Sequence, residues 1–399
     1  MVYLYSNLGK RTFMKIGIDC RLWNESGVGR YIRNLIENLQ AIDKKNEYVL
    51  FVGSENKEEI LKQVQNDNVK IVKADIRWHT IEEQLQFPSI LNKEDLDLVH
   101  FPYFSVPIFY NKPFVVTIHD LILHHFPTGE ASTLPLPLYY LKHLAYKYVI
   151  KHAAQKAEKI ITVSKATKKE IIDYLGVDKN KIVVIYEGVG EEITNTKYSI
   201  LNTQYFLYVG NAYPHKNLDN LIEAFDLLCH PELVSRSESN RDYDRRQDDI
   251  KLVLIGKEDY FYKRLKEKVK KMGLEKSVKF LGEVSDEELA SLYKNARCFV
   301  MPSLMEGFGL PVLEAMANKC LVLASDIPAV REICGDAAIY FNPYDNEDIA
   351  SKMKALYSND TYHYSDKIKK GFRKARMFSW EKMARETLTV YENCLQKNI

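Results

Sequence analysis

The chain has 399 residues, 46% of them hydrophobic and 28% charged, with a formal net charge of only +2. This length exceeds what one hydrophobic core usually serves, so two domains are expected, and the near balance of charge argues against a nucleic-acid partner. No run of about 20 apolar residues indicates a membrane span or an export signal, and the six scattered cysteines are expected to be reduced, mostly buried thiols of a cytosolic protein.

Short runs rich in Val and Ile alternate with charged helical segments along almost the whole chain. This alternation is typical of parallel sheets covered by helices on both faces. The predicted strands are KIGIDC, YVLFVG, VKIVKAD, LDLVHF, FVVTIHD, IITVS and IVVIYEG in the first half, and YFLYVG, IKLVLIG, VKFLGE, CFVMPS, CLVLAS and AIYF in the second. The prediction is an α/β protein with two Rossmann-like, doubly wound domains.

The polar, turn-rich stretch 187–203 separates the two arrays and predicts a linker. We therefore expect domains at 14–190 and 203–365, with helices in 366–399, broken at FSW, packing back toward the first domain. Residues 1–13 are interpreted as a tail. Residues 230–249 are polar, charged and without periodicity, which indicates an inserted surface loop without chemistry.

Two Asp-x-Asp sequences formally match a metal-binding pattern. Asp95–Asp97 opens a strand at its amino end, and Asp242–Asp244 lies in the insert. Ligands bind at the carboxyl edge of a parallel sheet, so neither pair is expected to hold a metal ion.

The first candidate site residues are Gly27, Val28 and Gly29, between a strand and an amphipathic helix. A glycine turn before a helix can hold a phosphate on free backbone N–H groups. The same turn can serve only the close packing of helix on sheet. The residues alone leave both interpretations open.

His119 and Asp120 end the strand FVVTIHD, where a side chain can reach a cleft between the domains. A histidine at such a strand end can equally be a hydrogen-bonded core residue. Asp120 is expected to orient the loop. After the next strand, Ser164 is expected to cap a helix.

Residues 138–159 interleave aromatic residues with Lys and His over several helical turns. Such a helix could suit a membrane surface or a lipid-linked acceptor. The favoured interpretation is a helix that packs by its aromatic face and leaves its lysines in water.

In the second half, Lys216 stands between a strand end and a helix start, within YVGNAYPHKN. A lysine there can neutralise phosphate charge and stabilise a departing diphosphate. The alternative is a surface lysine at a helix start.

The stretch EGFGLPVLE, residues 306–314, contains two glycines that interrupt any helix through Glu306, while Pro311 suits a first helical turn. A helix is therefore predicted to start near Leu310, with free N–H groups that suit a diphosphate. The alternative without a functional role is that Glu314 only offsets the helix dipole and Glu306 is a solvated loop acid.

The sequences SLMEGFGLPVLEAMANK and YVGNAYPHKNLDNLIEAF resemble the signature of the retaining glycosyltransferases of family 4, which have the GT-B fold with a cleft between two Rossmann-like domains. The resemblance runs from Lys15 to about Tyr391. It implies metal-independent transfer of a hexose from a nucleotide diphosphate sugar to a hydroxyl, by front-face displacement with retention. These sequences are most similar to those of bacterial mannosyltransferases of polysaccharide and O-antigen synthesis, which use GDP-mannose. UDP-sugars are the next candidate donors.

The resemblance also implies roles for individual side chains. Glu306 would lie by the donor sugar, Glu314 would hold the ribose hydroxyls, Lys216 would stabilise the leaving diphosphate, and His119 would contact the donor sugar. Many members carry an arginine where this chain has Asn211, which leaves the second cationic contact open. The implied donor-binding backbone positions are Gly27, Val28, Gly29, Gly307, Phe308, Gly309 and Leu310.

The implied acceptor is a glycan or a lipid-linked saccharide, handled by a cytoplasmic protein, with peripheral contact to the inner face of the membrane left open. Two other classes fit the same fold: a sugar-nucleotide epimerase or hydrolase, and a non-catalytic sugar-nucleotide sensor. An epimerase would form product without an acceptor. A sensor would bind without turnover.

Overall fold

The computed structural model describes residues 13–64, 66–127, 129, 134–190, 204–230, 250–358 and 361–396. Nearly all of the predicted tail and of the insert, with Asp242–Asp244, and most of the linker therefore lie outside the described residues. Every predicted strand forms, and the strands make two parallel sheets. All six cysteines are free thiols, five of them buried, as expected.

The first sheet has seven strands in the order β3-β2-β1-β4-β5-β6-β7. Its central strands β4 and β5 are buried along their whole length because helices cover both faces. The strands are β1 (Lys15–Asp19), β2 (Glu47–Val52), β3 (Val69–Lys73), β4 (Leu98–Phe101), β5 (Phe114–Ile118), β6 (Lys159–Thr162) and β7 (Ile182–Val184). The helices are α1 (Gly27–Ile42), α2 (Lys57–Gln63), α3 (Ile81–Asn92), α4 (Ile122–His125), α5 (Leu136–Lys156) and α6 (Lys165–Leu175).

The second sheet has six strands in the order β10-β9-β8-β11-β12-β13. The strands are β8 (Tyr205–Val209), β9 (Lys251–Ile255), β10 (Val278–Gly282), β11 (Cys298–Met301), β12 (Val322–Ser325) and β13 (Ile339–Phe341). The helices are α7 (Leu218–Cys229), α8 (Tyr260–Lys271), α9 (Asp286–Asn295), α10 (Leu310–Ala317), α11 (Pro328–Cys334) and α12 (Asn346–Ser358).

The last two helices lie on different domains. Helix α13 (Ser365–Ala375) packs on α10, where Gly371 is so close to Met316 that a Cβ would lie 3.0 Å from its Cγ. Helix α14 (Trp380–Gln396) packs on α1 and β1 of the first domain. The break at FSW separates these two helices, and the chain there returns from the second domain to the first.

Strand order reverses beside β1 in the first sheet and beside β8 in the second. Loops that leave neighbouring strands at such a point diverge, which opens a crevice at the carboxyl edge of the sheet. In the second domain, the loops after β8 and β11 flank this crevice. They carry Lys216 and Glu306.

Candidate functional site

Lys216 and Glu306 form a partly buried ion pair between these two loops, with side chains 17% and 10% exposed. The Lys216 ammonium lies 2.7 Å from one carboxylate oxygen of Glu306, and the Ser303 hydroxyl donates to the same oxygen at 2.6 Å. Asn217, with a left-handed φ of 60°, fixes the lysine loop by donating from its amide to the carbonyls of Pro302 (3.0 Å) and Pro343 (2.7 Å). Neither residue is therefore the solvated surface group of the alternative interpretation.

The Glu306 carboxylate is stabilised in its charged form. Burial raises its pKa, but the charge and hydrogen bond of Lys216 and the hydroxyl of Ser303 outweigh burial, so the pKa lies below its ordinary value. The Glu306 carboxylate is therefore charged at neutral pH. The ion pair forms within the second domain and does not depend on the position of the first domain.

The glycine loop after Glu306 is pressed against the first domain. A Cβ on Gly307 would lie 2.0 Å from the His119 carbonyl oxygen, so only glycine fits there. The Gly307 carbonyl accepts from the hydroxyls of Ser164 (2.6 Å) and Thr167 (3.2 Å). Ser164 also caps α6, as predicted, but its bond to the second domain was not foreseen.

Helix α10 begins at Leu310, as predicted. Gly309 precedes it with φ 103°, a conformation that favours glycine, and Pro311 occupies the first turn. The buried Phe308 ring packs against Tyr186 of the first domain and Phe378. The start of α10 therefore lies at the domain seam, and the N–H groups of a helix start suit an anion.

Glu314 lies one turn into α10 and is 6% exposed. Its carboxylate forms an ion pair with Arg30 of the first domain, and Tyr293 donates to its other oxygen at 3.2 Å. Burial raises the pKa of Glu314 above its ordinary value, and the Arg30 charge and the Tyr293 hydrogen bond offset only part of this shift. Arg30 was not identified from the sequence, although it directly follows the glycine turn of α1.

The two glycines of the first turn have different surroundings. A Cβ on Gly29 would lie 2.3 Å from the Trp23 carbonyl oxygen, so Gly29 is required for close packing. A Cβ on Gly27 would have no atom within 4 Å. Val28 and Leu310 pack against the same apolar cluster. Close packing therefore accounts for Gly29, and phosphate binding by Gly27, Val28 and Gly29 stays a prediction.

His119 is held by the protein through both ring nitrogens. Nδ1 lies 3.2 Å from the Glu187 carboxylate and Nε2 lies 2.9 Å from the Pro102 carbonyl. Burial lowers its pKa, but the hydrogen bond and charge of Glu187 outweigh burial, so the pKa is raised. Contact with a donor sugar would require the ring to exchange one of these partners and stays a prediction. Asp120 accepts from the Ile122 N–H at 3.0 Å, which orients the loop as expected.

Asn211 lies in the loop that leads to Lys216. Its carbonyl accepts from the Tyr208 hydroxyl at 2.6 Å, and its side-chain oxygen accepts from the Tyr213 N–H at 3.4 Å. These bonds shape the turn. Its part in donor binding stays a prediction.

Within the described residues, no group of three or more His, Cys, Asp and Glu side chains is arranged to hold a metal ion. Asp97, from the first Asp-x-Asp pair, accepts instead from the Lys15 N–H at 2.7 Å, at the amino end of β4. None of the helices in the described part of the chain combines the length and the apolar character that crossing a membrane requires.

Comparison with known families matches both domains. The model for Glycosyltransferase Family 4 covers residues 26–192, and the model for Glycosyl transferases group 1 covers residues 191–375. The chain belongs to the family 4 glycosyltransferases. Its two domains, with the Lys216–Glu306 pair at their seam, are those of the GT-B fold.

Similar proteins include two bacterial mannosyltransferases. O-antigen chain mannosyltransferase RfbU of Salmonella typhimurium is 29% identical over 70% of this chain and 70% of its own. O-antigen chain mannosyltransferase B of Escherichia coli is 27% identical over 92% of this chain and 96% of its own.

Solved structures share the fold. Sucrose-phosphate synthase from Thermosynechococcus elongatus superposes with a TM-score of 0.76 at 18% identity, covering 96% of this chain and 100% of its own. HepE of Anabaena, solved with UDP and glucose, superposes with a TM-score of 0.71 at 16% identity, covering 95% of this chain and 99% of its own.

Proposed function

We propose that this glycosyltransferase moves mannose from GDP-mannose, with retention of configuration, to a hydroxyl of a glycan or lipid-linked saccharide in cell-surface polysaccharide synthesis. The observation that carries the proposal is the partly buried Lys216–Glu306 pair beside the amide-rich start of α10. Mannose is favoured because both similar O-antigen enzymes are named mannosyltransferases. A UDP-sugar is the second donor, because HepE was solved with UDP and glucose.

The proposed chemistry is charge stabilisation of the leaving group. As the bond between sugar and diphosphate breaks, negative charge grows on the diphosphate, and Lys216 with the N–H groups of residues 307–310 would stabilise it. The acceptor oxygen would attack from the same face and pass its proton to the departing diphosphate. Glu306 is bound by Lys216 and Ser303, which supports a role in positioning the sugar and stabilising positive charge at its ring over a role as a free nucleophile.

A donor panel tests this proposal. GDP-mannose, UDP-glucose and UDP-N-acetylglucosamine are incubated with the purified protein, with and without saccharide acceptors, and released nucleotide is measured. Release that requires an acceptor and is fastest with GDP-mannose is expected, and NMR of the product should show the anomeric configuration of the donor. Product without acceptor would indicate an epimerase or hydrolase, binding without release a sensor, and an inverted product would contradict retention.

We also propose that the enzyme works in the cytoplasm, in peripheral contact with the inner face of the membrane, through the outer face of α5. One face of this helix packs on the first domain through Tyr139, His143 and Ile150. The opposite face exposes Leu141, Leu144 and Tyr148 by 65%, 64% and 62%. The sequence favours a helix that packs by its aromatic face and leaves its lysines in water. This interpretation describes only the packed side, because the opposite side also exposes apolar residues.

The charge of α5 favours an anionic lipid surface as the partner. The helix contains four lysines and no acidic residue: Lys142, Lys147, Lys151 and Lys156. Apolar side chains that enter the headgroup layer and lysines that bind anionic headgroups are the two features of interfacial helices. A lipid-linked acceptor would meet the enzyme at this surface.

Sedimentation with lipid vesicles tests the membrane contact. The wild-type protein is expected to bind vesicles that contain phosphatidylglycerol at least about tenfold more tightly than vesicles of phosphatidylcholine, because lysines near an anionic surface add about 1 kcal/mol each. L141Q/L144Q should abolish most of this binding. The matched control is I81Q/L85Q, which changes two exposed apolar residues of α3. Equal binding by both variants would contradict the proposal. So would a wild-type protein that is a dimer in solution and that L141Q/L144Q converts to a monomer, because α5 would then bind a second copy of the chain.

We retain the division into domains at 14–190 and 203–365 as part of this proposal, but of the helices in 366–399 only α14 returns to the first domain, because α13 packs on α10 of the second. The placement of α14 on the first domain supports it.

A further inference from the structure

Arg30 is a cation of the first domain that reaches a carboxylate of the second. It lies in the first turn of α1, three residues after Gly27, and its guanidinium pairs with Glu314. The side chain of Arg30 is 32% exposed, whereas that of Glu314 is 8% exposed. The structure therefore places a partly solvated guanidinium, which has five N–H donors, at the mouth of the donor site.

The charges around the site call for a second cation when a nucleotide diphosphate binds. The structure brings two carboxylates, the partly buried Glu306 and the buried Glu314, to the start of α10, and a diphosphate adds further negative charge there. Lys216 is already paired with Glu306. Asn211, in the same loop, is uncharged. Without Arg30, Lys216 would be the cation that the loops of the second domain offer to Glu306, Glu314 and a diphosphate in a site of low dielectric.

Arg30 lies within reach of the diphosphate position. Arg30 in the first turn of α1 pairs with Glu314 of α10, so the starts of these two helices are neighbours. Leu310 and Glu314 are four residues apart on α10, which separates their Cβ atoms by about 5–6 Å. A rotation of the long arginine side chain, with no movement of backbone, covers such a distance. Arginine binds phosphate through two parallel hydrogen bonds, which a lysine cannot make.

We propose that Arg30 is a further donor-binding residue with two alternating partners. In the free protein it neutralises Glu314. When the ribose hydroxyls of the donor occupy Glu314, the guanidinium passes to the diphosphate and supplies the second cationic contact from the opposite domain. This inference rests on the proposed use of a nucleotide diphosphate sugar at this site.

The direction in which R30A changes the affinity for GDP tests the proposal. If Arg30 binds the donor, R30A should weaken GDP binding at least about tenfold, measured by calorimetry, and should leave the affinity for guanosine unchanged or higher. If Arg30 only blocks Glu314, R30A should tighten GDP binding, and this result would overturn the proposal. An unchanged affinity for GDP would overturn it as well.

Two further variants serve as controls for this measurement. R30Q can still donate a hydrogen bond to Glu314 and keeps the test valid if R30A does not fold, with the same loss of GDP binding expected. R385A is the matched control, because Arg385 pairs with the exposed Glu381 of its own helix, and it should bind GDP like the wild type. If the wild type binds neither GDP nor UDP, the proposed function fails. If the wild type binds and R30A binds equally well, only the Arg30 assignment fails.

Discussion

The two glutamates of EGFGLPVLE are both at least partly buried and both paired with a cation, but their partners come from different domains. Glu306 is paired with Lys216 of its own domain, and its pKa is lowered. Glu314 is paired with Arg30 of the other domain, and its pKa is raised. The first carboxylate is thus charged and oriented by its own domain. The second depends on the closure of one domain on the other.

The Lys216–Glu306 pair thus forms within the second domain alone, whereas the Arg30–Glu314 pair forms only when the two domains are in contact. The intradomain pair is rigid, because Ser303 and the Asn217 clamp hold both loops. A ligand can replace the interdomain pair. When the pair breaks, Glu314 keeps its hydrogen bond from Tyr293, and Arg30 remains near solvent. We therefore expect changes at the first pair to affect the chemical step and changes at the second to affect donor binding.

Removing the Lys216 charge should give the largest effect. We expect K216A to lower kcat at least about tenfold, the equivalent of roughly 1.4 kcal/mol of transition-state stabilisation. It should also lower the free energy of unfolding by roughly 3 kcal/mol, because the partly buried Glu306 carboxylate loses its counter-ion. Initial rates and urea unfolding measure the two effects.

The double variant K216A/E306Q separates these two consequences. Without the Glu306 charge it should regain most of the stability but none of the activity. Full activity in K216A would refute the role of Lys216 at the leaving group. A double variant as unstable as K216A would show that the pair is not what holds the two loops.

A smaller and different effect is expected at Glu314. E314Q should raise KM for the donor about fivefold and leave kcat within about twofold, because contacts to the ribose are the same in the ground state and the transition state. Y293F, which removes only a 3.2 Å hydrogen bond to Glu314, is the control and should change KM by less than about twofold. A loss confined to kcat in E314Q would erase the distinction between the two glutamates.

The sequence predicts what is local and fails where two domains must be brought together. The strands, the start of α10 at Leu310 and the Ser164 cap follow from patterns within about ten residues. Arg30 and Glu314 are 284 positions apart, and the Ser164–Gly307 bond spans 143. No periodicity relates residues so distant. The available signal for Arg30 was its position on the helix face that continues from Gly27.

His119 provides a third pair, within the first domain, whose strength should depend on pH. Its pKa in the folded protein is raised above the ordinary value of 6.5, so the folded state binds the proton more tightly than the unfolded state. The stabilisation is complete below pH 6.5 and is lost as the pH rises through the folded pKa. H119Q should therefore lose about 1 kcal/mol more stability at pH 6 than at pH 9, the scale of one charge-assisted hydrogen bond.

His100 is the matched control, because it is also buried in the first domain and bonded through both ring nitrogens, to Tyr391 (2.6 Å) and Thr117 (2.8 Å). Burial lowers its pKa to about 3, so it is neutral throughout this range. The stability lost in H100Q, measured by urea unfolding, should be the same at pH 6 and pH 9. A flat profile for H119Q as well would show that the His119–Glu187 contact is a neutral hydrogen bond. The His119–Glu187 contact would then differ from the Lys216–Glu306 and Arg30–Glu314 ion pairs, because it would carry no charge before the donor arrives.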